Sequence, residues 1–123
     1  MKDHWHHLIQ WATEEVEATL AHLPAQLREA AIKLPVTFER IPSQELQADG
    51  MDSETLGLFV GPDFADELTV PMPPQIILFL ENLWDFAEGD EAVFREEIAT
   101  TLLHELGHYL GLDEDELTDR GLE

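Results

Sequence analysis

The stretch Thr100-Thr101-Leu102-Leu103-His104-Glu105-Leu106-Gly107-His108-Tyr109-Leu110-Gly111-Leu112-Asp113-Glu114 decides how the chain is read. It spells H-E-x-x-H and continues x-x-G-x-x-E. Residues four apart on a helix lie one above the other on the same face, so His104 and His108 can aim imidazole nitrogens at a single point. Glu105 is rotated by about 100° from His104 at 3.6 residues per turn. That places it off the histidine line but within reach of a water held by a metal there. The expected roles are metal ligation by His104 and His108 and general base for Glu105.

A catalytic zinc usually takes three protein ligands and leaves a fourth position to water. Gly111 points to the third, because a glycine just past an apolar helical run can adopt the left-handed conformation that ends a helix. The chain then turns back toward the histidines and brings Glu114 within reach. The adjacent carboxylates Asp113 and Asp115 are the alternatives for this place. The spacing resembles the metzincin ligand arrangement, H-E-x-x-H-x-x-G-x-x-H or D, with Glu114 at the third-ligand position. That likeness stops at the ligands, since no methionine follows His108 and Met51 and Met72 lie upstream. With the sequence closing at Glu123, no long later helix is expected to supply a glutamate in the thermolysin manner.

At average residue usage H-E-x-x-H arises by chance in roughly one chain of this length in a few hundred. The competing interpretation is a structural helix whose histidines are satisfied by hydrogen bonds, with the acidic run after Gly111 as a solvated tail. Two histidines and a glutamate within an otherwise apolar helix are costly to bury without a role, which favours the metal site.

From about Pro35 onward the chain resembles the small bacterial zincin-like metallopeptidases, a minimal zincin family of about this length. The matching features are Leu56-Gly57-Leu58-Phe59, the Pro-rich lead into Gln75-Ile76-Ile77-Leu78-Phe79, His104-Glu105-Leu106-Gly107-His108-Tyr109-Leu110-Gly111, and Asp115-Glu116-Leu117 with Arg120-Gly121. The resemblance implies a compact α+β domain with a zinc site at His104, His108 and an acidic residue, and Glu105 as catalytic base. The family commonly has aspartate at the place of Glu114. It implies little about substrate.

Composition bounds the remaining possibilities. The chain has 123 residues, 44% of them hydrophobic, which suits one domain with a real core. There is no cysteine, so histidine and carboxylate are the available strong metal ligands. The net charge of -21, from 6 basic and 27 acidic residues, argues against binding to nucleic acid or anionic lipid. It would attract cations and basic peptides, although a soluble, self-repelling surface explains it as well. Met1-Lys2-Asp3-His4-Trp5-His6-His7 lacks the form of a signal peptide, and no apolar run approaches the length of a membrane span. The expectation is a cytoplasmic protein acting on a peptide or protein substrate.

The rest of the chain predicts an α+β domain with a short three-stranded mixed sheet, N-terminal helices and a central H-E-x-x-H helix, all in a single domain over residues 1–123. Trp5, Leu8, Ile9, Ala12, Val16 and Leu20 recur at spacings of three and four and predict an amphipathic helix from Asp3 to Ala21. Pro24 suits the first turn of a second helix carrying Leu27, Ala30, Ala31 and Leu34, which Pro35 closes. Strands are expected at Val36–Ile41, Leu56–Val60 and Gln75–Leu80. The unbroken apolar run of the last suggests the middle of the sheet. Ser43 to Thr55 reads as a polar connection with a turn at Asp49-Gly50, and Asp63 to Pro74 as an irregular one.

Leu83-Trp84-Asp85-Phe86 is expected to form a helical turn that plugs the core. Asp90 is expected to cap a helix from Glu91 to Leu110. Glu97, Thr101, His104 and His108 should then form its open strip, with Thr101 or Glu97 available to orient the histidines. Gly107 inside this helix suggests close approach of another element. For an oxyanion donor the sequence offers Tyr109, expected to face away from the ligands, and the remote Arg95 and Arg120. His4, His6 and His7 read as ordinary exposed histidines.

Overall fold

The computed structural model describes residues 4–61 and 74–109. Helix α1 (Trp5–Ala21) buries Leu8, Ala12 and Val16, residues four apart that make one continuous stripe. Pro24 stands just ahead of α2 (Ala25–Ala31) with φ -53° and ψ 146°, the extended geometry that proline favours at a helix entrance. Leu34 is buried although α2 has already ended.

Strands β1 (Val36–Glu39), β2 (Gly57–Val60) and β3 (Gln75–Phe79) form one sheet in the order β1-β3-β2. β1 runs parallel to β3 with Val36 opposite Ile76, whereas β2 runs antiparallel to it with Gly57 opposite Leu78. The central place of β3 follows from its residues. Ile76 and Leu78 face the main core shared with α1 and the later helices, while Ile77 and Phe79 pack on the opposite face with Val60 and Leu46. A strand apolar on both faces needs a layer on each.

The second layer is a helix where the sequence predicted only a connection. α3 (Gln44–Ala48) brings Leu46 onto Ile77 and Phe79, with Met51 and Leu58 around them. Ser43 caps it by accepting a hydrogen bond from the Leu46 N–H at 3.2 Å. At the other end Gly50, with φ 105°, adopts the left-handed conformation. Gly50 N–H donates to Gln47 and Met51 N–H donates to Leu46, the paired bonds of a Schellman cap. The expected Asp49-Gly50 turn is therefore the end of a helix.

Strand β3 also stops one residue earlier than predicted. Leu80 begins α4 (Leu80–Phe86) directly, with no intervening loop. Leu80 and Leu83 are the residues that plug the core, whereas Phe86 is 59% exposed. Another Schellman cap closes α4, with Glu88 donating to Asp85 and Gly89 donating to Trp84. Here the left-handed position ahead of Gly89 is Glu88, at φ 56°. Asp90 Oδ1 then accepts the Val93 N–H at 3.1 Å and opens the long helix α5 (Glu91–Tyr109), which buries Phe94, Ile98, Leu102, Glu105, Leu106 and Gly107.

α5 lies between α1 on one side and β2 and β3 on another. Its N-terminal half is tied to α1 by Arg95, which reaches Glu14 at 2.8 Å and Glu15 at 3.3 Å besides Glu91 at 3.0 Å. The hydrogen bond to Glu14 is the largest cause holding the Arg95 guanidinium above its ordinary pKa, and partial burial opposes it. Trp11, Trp84 and Phe94 pack ring against ring beside this junction. No helix among the described residues is long and apolar enough to cross a membrane.

Candidate metal centre

Nineteen residues of α5 extend about 28 Å at 1.5 Å per residue, and the histidines lie in its last two turns. The apolar side of this part, Leu102 and Leu106, is held in the core beneath α1. Anchoring that side turns His104 and His108 outward, and both are exposed. Their ring centroids stand 4.7 Å apart with the planes at 66°, as i and i+4 spacing requires.

Glu105 points to a different side. It is 9% exposed and is the one buried polar or charged residue among the described residues. Its Oε1 lies 3.5 Å from His108 Nδ1, too long for a strong hydrogen bond. One nitrogen from each histidine and one Glu105 oxygen all fall within 4.8 Å of one another, and no other group of three potential ligands occurs among the described residues. Two accessible imidazoles with a carboxylate beside them are a nitrogen and oxygen donor set suited to zinc. The residues present fit that ion.

Thr101 is not in the open strip predicted for it. It is half-buried, and its methyl group faces Gly57 of β2: a Cβ built on Gly57 would lie 2.5 Å from Thr101 Cγ2 and 3.5 Å from Glu105 Cγ. Leu56-Gly57-Leu58-Phe59 carried the signal for this contact, since a glycine within a short apolar strand marks close approach of another element. Gly107, from which such an approach was expected, is buried as well. Tyr109 packs its ring edge-on against Phe59 at 5.6 Å. Arg95 is committed to its three glutamates and is not directed at the histidines. The proposed ligand Glu114, its neighbours Asp113 and Asp115, the turn at Gly111 and the donor candidate Arg120 lie outside the described residues, as do Met72 and the Asp63–Pro73 connection. Near the N-terminus His6 and His7 contact each other and His7 stacks on Trp11; these rings join no ligand cluster.

An α+β domain in which a mixed sheet supports one long helix bearing H-E-x-x-H with both histidines outward defines the zincin class of metal sites. Residues 31–122 match the family of zincin-like metallopeptidases, and the chain belongs to that family. No curated protein matches it. The match begins at the last residue of α2, so α1 precedes the matched region although its Leu8, Ala12 and Val16 share a core with α5.

Proposed function

We propose that the protein is a zinc-dependent metallopeptidase in which His104, His108 and Glu114 hold one zinc ion and Glu105 is the general base. The observation that carries this reading is the division of roles within a single helical turn. The two imidazoles are exposed and converge, while the carboxylate between them in sequence is buried and set to the side. When bound, zinc would supply Lewis acidity, lowering the pKa of water and polarising a scissile carbonyl. His104 and His108 orient the site from the last two turns of α5. The Glu105 carboxylate accepts the proton of the attacking water and passes it to the departing amine. Its partial burial keeps it from being swamped by solvent while this happens.

The substrate class we propose is a peptide or protein segment, with basic residues favoured. Support comes from the net charge of -21, which would concentrate cationic peptides near the surface. β2 has a strand neighbour only on its β3 side among the described residues, and an extended substrate could pair with the other edge. A non-catalytic zinc-binding or protein-interaction module is the competing reading, favoured by the commitment of Arg95 elsewhere. The deciding experiment is elemental analysis of wild type and His108→Ala, followed by a peptide-library screen with Glu105→Gln as control. One zinc per wild-type chain, lost in His108→Ala, together with cleavage lost in Glu105→Gln, is expected. Zinc without cleavage of any peptide pool would favour the binding module. No metal after incubation with zinc would overturn both.

A further inference from the structure

Gly57 has no conformational need to be glycine. Its φ is not in the left-handed region that Gly50 and Gly89 occupy, so any residue could adopt its backbone. What it lacks is room. A side chain there would meet Thr101 Cγ2 at 2.5 Å, with Glu105 Cγ and the Ile77 carbonyl each at 3.5 Å. The register explains the direction, because Gly57 pairs with Leu78 and Phe59 with Ile76, and all but Gly57 belong to the helix-side core. The two helix-facing positions of β2 are therefore a bare α-carbon against Thr101 and Glu105 and a phenyl ring against Tyr109. Gly57 faces α5 at the turn that carries Thr101 and Glu105.

We propose that Gly57 is a positioning residue for Glu105: the missing side chain leaves room for the Thr101 methyl and so seats the turn of α5 that carries Glu105 against β2, with the carboxylate beside His108 Nδ1. A side chain at position 57 would strike Thr101 Cγ2 and reach Glu105 Cγ, and the Glu105 carboxylate ends 3.5 Å from His108 Nδ1. Close seating of this kind sets the distance of a carboxylate from a reacting centre through backbone packing. A displacement of about 1 Å at such a group can cost roughly a hundredfold in rate. The proposal rests on the peptidase reading only for the role of Glu105 as base. The close seating of α5 on β2 is independent of it.

The test uses the full chain with 15N-labelled histidine, reading the His108 Nδ1 resonance at one fixed pH, in wild type, Glu105→Ala, Gly57→Ala and the double variant Gly57→Ala/Thr101→Ser. Thr101→Ser removes the methyl that an alanine at position 57 would strike and keeps the hydroxyl. The expected result is that Gly57→Ala shifts the resonance toward its Glu105→Ala position and that the double variant returns it. Hydrolysis of a peptide pool should follow the same order, with kcat falling about tenfold or more and KM within about twofold, at unchanged zinc content. A resonance unmoved by Gly57→Ala, or one that Thr101→Ser does not restore, overturns the proposal. Should Gly57→Ala not be recovered folded, Thr101→Leu presses on β2 from the helix side with Gly57 intact. It must move the same resonance, and a folded Thr101→Leu with the wild-type signal overturns the proposal. Failure of the wild type to hydrolyse any peptide counts against the peptidase reading alone, because the imidazole signal is read without turnover.

Discussion

Glu105 and His108 are three residues apart on one helix yet meet different surroundings, one 9% exposed in total and the other with about half of its side chain in solvent. The difference lies in what packs against each side of α5. Sequence spacing alone places the two histidines on one line and the glutamate off it. That the glutamate is sheltered follows from β2. Separate outcomes are expected for the two residue types. Glu105→Gln keeps the shape of the site and should retain zinc while hydrolysis falls by about 10²- to 10⁴-fold, the range for loss of a general base; parallel metal analysis and rate measurement check this. His108→Ala removes one of the two proposed histidine ligands and should lose both zinc and activity. Thr101 shows where periodicity misled. Its spacing puts it within about 20° of His108 round the helix, but at its level along α5 Gly57 of β2 covers that face.

The elements were legible to different degrees, according to how much of their stabilisation is local. α1 and α5 announce themselves by apolar stripes, and Asp90 caps α5 as its position suggested. α3 offered one large apolar residue, Leu46, and a five-residue helix shows little periodicity. Its caps, Ser43 and Gly50, were the available signal. Ser43→Ala should therefore destabilise the protein by about 1 kcal/mol, the usual cost of losing an N-cap, measured by urea unfolding. Glu88 provides an opposite case. It occupies a left-handed position at φ 56° that glycine would take without strain. Glu88→Gly is expected to stabilise the fold by about 0.5–1 kcal/mol, after the greater unfolded-state freedom of glycine offsets part of the relief. A lower midpoint of urea unfolding in Glu88→Gly would refute that account.

For the molecule as a whole, α1 is part of the core that supports the site, although the family match starts after it. A chain lacking residues 1–23 would expose the faces of Ile98, Leu102 and Leu106 that α1 helps to cover. Loss of cooperative thermal unfolding and loss of zinc retention are expected together, checked by calorimetry and elemental analysis. Arg95 adds little to this junction, since its partners are partly solvated and such pairs contribute at most about 1 kcal/mol. Net charge acts at the same scale. With -21 charges on 123 residues, self-repulsion opposes the folded state, and added salt screens it over a Debye length of about 10 Å at 0.1 M. The thermal midpoint should rise with moderate NaCl, while cleavage of a basic peptide should slow as steering is screened.

By itself the sequence determined the helix that bears H-E-x-x-H, the shared face of His104 and His108, the N/O character of any metal site and the central place of β3. These depend on local spacing, on residue chemistry and on whether an apolar pattern alternates. Only the tertiary structure decided that α3 covers the far face of the sheet, that Leu80 begins a helix instead of ending a strand, and that Gly57 of β2 faces Thr101 and Glu105 of α5. Each of these depends on which surfaces meet, and the absence of a side chain at Gly57 acquires its meaning only from the helix that packs against it.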